Sequence, residues 1–185
     1  LLFVDPQTMD FVRLGHFSPI ALPGGDKAIA QPWRTAQGLL YTMGETSPAD
    51  RDWPWIPRFS PASDVVGQML DKNVNCIQTT SCGRLFDAVS ALLGLCLTID
   101  YEGQAAICLE QIQSLAPGPG YECPQEHKAN SINLNTVHLF AQVHADWLAG
   151  KPATAISRSF HCGLIRGLSR WALAASKHTG IRRIA

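Results

Sequence analysis

Gly83, Arg84 and Asp87 lie within one helical turn in the run Thr79-Thr80-Ser81-Cys82-Gly83-Arg84-Leu85-Phe86-Asp87-Ala88-Val89-Ser90-Ala91-Leu92-Leu93-Gly94-Leu95. On a helix, residues three and four apart are neighbours, so the three share a face. A glycine one turn ahead of an aspartate lets a ligand approach the backbone while the carboxylate accepts its hydrogen bonds. The nearby helix N-terminus favours negative charge. That combination suits a nucleotide, with the carboxylate on the ribose hydroxyls. The same spacing also describes an ordinary surface helix with an Arg84–Asp87 ion pair, so spacing alone leaves both readings open.

The element that positions these residues is a helix from Ser81, the expected N-cap, to Gly94, a residue suited to a helix end. Leu85, Val89 and Leu92, with Phe86 and Leu93 beside them, form its apolar stripe, which puts Gly83, Arg84 and Asp87 on the opposite face. A second helix is expected from about Tyr101 to Leu115, with Ala105, Leu109 and Ile112 inward and Glu102 and Glu110 outward. Glu102 in its first turn suits the helix dipole, and Gly103 beside it is the alternative place for close ligand approach. Leu22-Pro23-Gly24-Gly25-Asp26 reads as a turn, with Asp26 capping a helix from Lys27 to about Tyr41. The glycines could instead line a ligand loop with Asp26 as a site residue.

Along the rest of the chain, Leu1–Val4 and Phe11–Leu14 about a turn suggest a β-hairpin over residues 1–15. Residues 44–62, with Trp53-Pro54-Trp55-Ile56-Pro57, read either as a loop anchored by aromatics or as a flexible excursion. Asp64–Asp71 reads as a short helix. Pro117-Gly118-Pro119-Gly120 breaks the chain, and Tyr121–Cys123 with Ser131–Leu134 suggest a second hairpin near 120–135. A helix is expected over Thr136–Ala149, and another from Pro152 to about His178, where Gly163 and Gly167 would permit close helix packing. Ile181 onward reads as the start of a strand. His161 sits on that last helix and could orient a nucleotide or substrate.

Lys+Arg and Asp+Glu each total 15, so no basic excess points to nucleic acid or an anionic membrane. No apolar run approaches the ~20 residues needed to span a bilayer. The six cysteines show no CxxC pair, and reduced thiols in a cytoplasmic protein are expected. No HExxH, CxxC or His-x3-His pattern occurs, so no metal site is expected within the chain. No Ser-His-Asp or Cys-His nucleophile motif occurs either, and the catalytic residues stay unknown.

The run Ser81-Cys82-Gly83-Arg84-Leu85-Phe86-Asp87-Ala88, then Tyr101-Glu102-Gly103-Gln104-Ala105-Ala106 and Leu109-Glu110, resembles HypF, the carbamoyltransferase of nickel–iron hydrogenase maturation. Leu22-Pro23-Gly24-Gly25-Asp26-Lys27-Ala28-Ile29 with Pro32-Trp33-Arg34, and Phe160-His161-x-Gly163-Leu164, are similar to HypF segments in the same order. The resemblance implies a mainly α, α+β fold: the helical part of an actin/Hsp70-like (ASKHA) domain with the two short hairpins. It implies that residues 1–185 are one partial domain, the middle of the HypF C-terminal domain. It implies that Asp87 meets the nucleotide ribose, that Glu102 and Gly103 make a second contact, and that Gly83 and Arg84 accompany them. The family uses carbamoyl phosphate and ATP to form carbamoyl adenylate, then passes the carbamoyl group to the C-terminal cysteine of its partner HypE. The ligands of the family's metal ion lie outside this stretch, so the 185 residues alone are expected to show no turnover. Two rivals stand beside this reading. One is a tRNA threonylcarbamoyl- or antibiotic O-carbamoyltransferase on the same scaffold, although the tRNA family carries a lysine where Ala88 stands. The other is a noncatalytic helical interaction module.

Overall fold

The computed structural model describes residues 1–5, 7–45, 52–116, 118–129, 131–181 and 183. Among these the fold is mainly helical, with three short antiparallel strand pairs. β1 (Leu2–Val4) and β2 (Phe11–Arg13) form the expected first hairpin, with Phe3 opposite Val12.

β3 (Ile20–Pro23) pairs with β4 (Cys76–Thr79), Ile20 opposite Thr79 and Leu22 opposite Ile77. Neither strand was legible in the sequence. All four residues of β3 are buried, so it has no polar–apolar alternation, and its partner lies far along the chain.

The single helix expected from Lys27 to Tyr41 is two helices, α1 (Asp26–Ala30) and α2 (Pro32–Thr42). Gln31 breaks them at φ −129° and ψ 78°, because the proline ring disfavours helical backbone in the residue before it. Pro32 then starts α2 at a position where its missing N–H costs nothing. Gly25, not Asp26, occupies the cap position of α1, and Asp26 is its first helical residue.

α3 (Ile56–Asp71) begins well ahead of the expected Asp64 and is kinked at Phe59, two residues before Pro61, which cannot continue the hydrogen-bond ladder. The described part of the 44–62 stretch is anchored by aromatics. Trp53 stacks on Trp55 at 5.5 Å and on Trp147 at 5.2 Å, while Trp33 stacks on Phe59 at 5.2 Å. Residues 46–51 lie outside the described residues.

α4 (Cys82–Leu92) has the expected bounds. Ser81 holds its cap position, but its side chain makes no capping bond. α5 (Gln104–Gln111) is shorter than expected, and Gly103, at φ 84°, precedes it. Glu102 therefore stands in the turn ahead of the helix and not in its first turn.

The second hairpin pairs β5 (Gln125–Lys128) with β6 (Ser131–Leu134), so its first strand is not Tyr121–Cys123. α6 (Thr136–Leu148) is capped by Asn135, whose Oδ1 accepts from the His138 N–H at 2.8 Å. α7 (Ala153–Thr179) follows. Its glycines do not serve another helix. A Cβ at Gly163 would run into the Tyr121 carbonyl oxygen, and one at Gly167 would lie 2.8 Å from the Cys123 Cβ. The two glycines thus admit the extended segment 121–123, which packs along α7 where the sequence suggested a strand. The strand expected from Ile181 falls largely outside the described residues.

At the centre, α2 packs against α4 and β3, α5 lies on α4, and α6 packs on α4 and α7. Trp33, Ala36 and Leu39 of α2 and Leu85, Ala88, Val89 and Leu92 of α4 are fully buried. Each large side chain there contributes roughly 1.5–3 kcal/mol by leaving water. This surround is what turns Asp87 inward. The expected outer face of α4 does not exist past its first turn, because α2, α5 and α6 enclose the helix. Among the described residues, no helix is long and apolar enough to cross a membrane.

Candidate functional site

A cavity of about 590 Å³ opens between α1, the β3–β4 pair, the start of α4 and the turn before α5. α1 contributes Asp26 and Ile29, α4 contributes Arg84, and the turn contributes Asp100, Tyr101 and Glu102. Leu22 and Ile99 add apolar wall, and Ser81 and Thr79 add hydroxyls.

Local bonds hold this wall in shape. The Ile99 N–H donates to the Ala30 carbonyl at 3.0 Å, tying the turn to the end of α1. The Asp100 N–H donates to Gln104 Oε1 at 2.7 Å, fixing the turn to α5. The left-handed backbone of Gly103 reverses the chain between Glu102 and the helix.

Arg84 connects the cavity to the interior. Its side chain is 12% exposed, and its Nη2 lies 3.0 Å from Asp87 Oδ2. That ion pair does not meet hydrogen-bond geometry, and neither Asp87 Oδ2 nor Arg84 Nη1 has a hydrogen-bond partner among the described residues. Burial pushes the Asp87 carboxyl up to about 6, an effect that Arg84 only partly offsets. Two buried polar atoms left without a hydrogen bond, one of them held only by the ion pair, cost free energy unless something else bonds them.

Of the residues singled out in the sequence, Asp26, Arg84 and Glu102 converge on the cavity. Asp87 is 3% exposed and stands behind Arg84 without lining the cavity. Gly83, exposed in the first turn of α4, and Gly103, at the head of α5, flank the cavity without lining it. His161 is placed differently. Its Nδ1 lies 2.8 Å from the Ser157 carbonyl, so that nitrogen carries the proton. Its ring meets Phe86 and Phe160 edge-on at 5.5 and 5.4 Å, and it does not line the cavity. Sequence reasoning missed Asp100 and Tyr101. The signal was present in the run Asp-Tyr-Glu-Gly, whose final glycine marks a turn and not a helix interior.

Among the described residues, no group of three His, Cys, Asp or Glu is arranged to hold a metal. The cavity lining is mixed in character, with three carboxylates against one guanidinium and an apolar wall. Such a lining accepts hydrogen bonds from a hydroxyl-rich ligand better than it accepts a cluster of phosphates.

The family model for "Carbamoyltransferase, Kae1-like Domain, second subdomain" matches residues 1–185. The carbamoyltransferase HypF2 of Cupriavidus necator is 30% identical over all of this chain, and the chain spans 25% of that protein. A HypF homolog of the same organism is 32% identical over the whole chain, which spans 48% of its length. The carbamoyltransferase HypF of Rhodobacter capsulatus is 40% identical over 61% of the chain. Among solved structures, full-length HypF in a phosphate- and nucleotide-bound form superposes with a TM-score of 0.78 at 28% identity, covering 93% of this chain and 26% of that one. The fold, the order of its segments and these likenesses agree, and the chain belongs to the HypF carbamoyltransferase family, a family of enzymes.

Proposed function

We propose that the 590 Å³ cavity receives the nucleoside part of an adenine nucleotide, and that the chain supplies this part of the pocket to a carbamoyltransferase. The whole enzyme would use carbamoyl phosphate and ATP to form carbamoyl adenylate. It would then pass the carbamoyl group to the C-terminal cysteine of HypE, for the cyanide ligands of the hydrogenase iron. The observation that carries the reading is the buried Arg84–Asp87 pair, whose Nη1 and Oδ2 find no hydrogen bond among the described residues, with Arg84 lining a cavity of ligand size. The nucleotide-bound form of a HypF relative supports it.

The chemistry of the lining supports the same orientation. Asp26, Asp100 and Glu102 accept hydrogen bonds from ribose hydroxyls and repel phosphates, so the nucleoside enters and the phosphate chain points outward. Tyr101, 55% exposed at the rim, offers a face on which a base can stack, and Leu22 and Ile99 exclude water beneath it. Arg84 holds Asp87 in place and keeps part of its charge, positioning the carboxylate instead of reacting. These residues bind and orient, and nothing here places a metal among them.

The test is calorimetric titration of ATP and a non-hydrolysable AMP analogue into the wild type, Asp87→Ala and Arg84→Gln. Saturable binding that falls at least about tenfold in Arg84→Gln, where a charge-assisted hydrogen bond of about 1.5–3 kcal/mol is lost, and that also falls in Asp87→Ala, where Arg84 loses the carboxylate that positions it, supports the pocket. Equal binding by all three, or none by the wild type, rules it out.

A further inference from the structure

We propose that a second cleft, adjoining the first at Asp26, binds the oxyanion head of a small organic phosphate or carboxylate through Arg34 and Lys27. The cleft has a volume of about 550 Å³. The Gly24–Gly25 turn and Lys27 form one wall, Arg34 reaches in from α2, and Val65, Met69, Asn75 and Ile77 form the rest.

Arg34 is a half-buried cation with no ion-pair partner among the described residues. Its Nε donates to Gln31 Oε1 at 2.6 Å and its guanidinium sits 4.8 Å from the Trp33 ring, which fixes the plane of the fork. Among the described residues, no carboxylate lies within ion-pair reach of Arg34 or Lys27. Burial also pulls the Arg34 pKa below its ordinary value, as for a cation deprived of water and given no counter-charge. The turn is shaped around this group. Gly24 adopts φ 92°, a conformation that favours glycine, and a Cβ there would lie 3.3 Å from Arg34 Nη1 and crowd the fork.

Asn75, itself at φ 52°, accepts the Gly24 N–H on its carbonyl at 2.8 Å and presents a side-chain amide to the same cleft. A planar, pre-oriented guanidinium next to a mobile ammonium and an amide is the donor set that grips two oxygens of a phosphate or carboxylate. The opposite wall is apolar and left open to water, with Val65 55% and Ile77 60% exposed. An organic body attached to the anion would cover it. Asp26, the one acid on the rim, sets the limit on charge, because it disfavours a polyphosphate and leaves room for a single head group.

The probes are phenyl phosphate and benzoate, which carry no nucleoside and so report on this cleft whatever binds in the other. Binding is followed by amide chemical shifts of Lys27 and Asn75 in the purified protein, for the wild type, Arg34→Gln and Lys27→Gln. Lys27 is exposed at the surface, so its variant keeps the fold and the comparison stands even if Arg34→Gln is unstable. Saturable shifts with either probe are expected, with affinity down at least about tenfold in Arg34→Gln and about threefold in Lys27→Gln. Whichever probe binds tighter identifies the head group. No saturable shift with either probe, or affinities unchanged in both variants, overturns the proposal.

Discussion

Replacing Asp87 with asparagine changes how stability depends on pH, and the sign follows from the site. In the unfolded chain this carboxyl has its ordinary pKa of 3.8, whereas in the folded protein burial raises it to about 6. Between those values the native state holds a proton that the unfolded state has released. Stability therefore falls as pH rises through the window from about 4 to about 6, and it is not regained above it. At 1.36 kcal/mol per unit, the full cost is about 3 kcal/mol, a large share of a typical domain's stability. Asparagine has the same shape and no proton to lose. Urea unfolding of wild type and Asp87→Asn, without nucleotide, at pH 4 and pH 7.5 isolates the effect. Every other titrating group cancels in the difference between the two proteins, as does the cost of leaving Arg84 with a neutral partner. The wild type should lose about 2.4 kcal/mol relative to the variant between the two pH values, the remainder having been lost already below pH 4. If the difference is flat without ligand, or rises with pH, the reasoning about a desolvated carboxylate is wrong.

Gly163→Ala should lower stability by about 1–3 kcal/mol, because its methyl would meet the Tyr121 carbonyl where both backbones are fixed. A thermal midpoint equal to that of the wild type would show that segment 121–123 does not lie against α7. Trp53→Ala should cost about 3–5 kcal/mol, since the ring is 3% exposed and stacks on Trp55 and Trp147. Denaturant titration measures this, and a loss under 1 kcal/mol would mean that the aromatic stack does not anchor the stretch before α3.

Residues 81–94 spelled out their own helix, because the apolar period and a terminal glycine both act within a few turns of chain. The first hairpin was legible for the same reason, two apolar runs about a turn. The cavity was legible only in part: Asp26, Arg84 and Glu102 were singled out, but Asp100 and Tyr101 were read as the start of a helix that begins only at Gln104. The misplaced strand at Tyr121–Cys123 failed on local propensity, which does not reveal that two glycines of α7, some forty residues later, receive that segment.

What the sequence determined by itself was therefore the local elements and, through four ordered segments, the family. What only the tertiary structure decided was which side of α4 faces water. A helical period tells which residues share a face, but not how many neighbours enclose the helix. With α2, α5 and α6 packed around it, the aspartate that sequence placed on an open surface is desolvated, and Arg84 is left as the group that reaches the cavity.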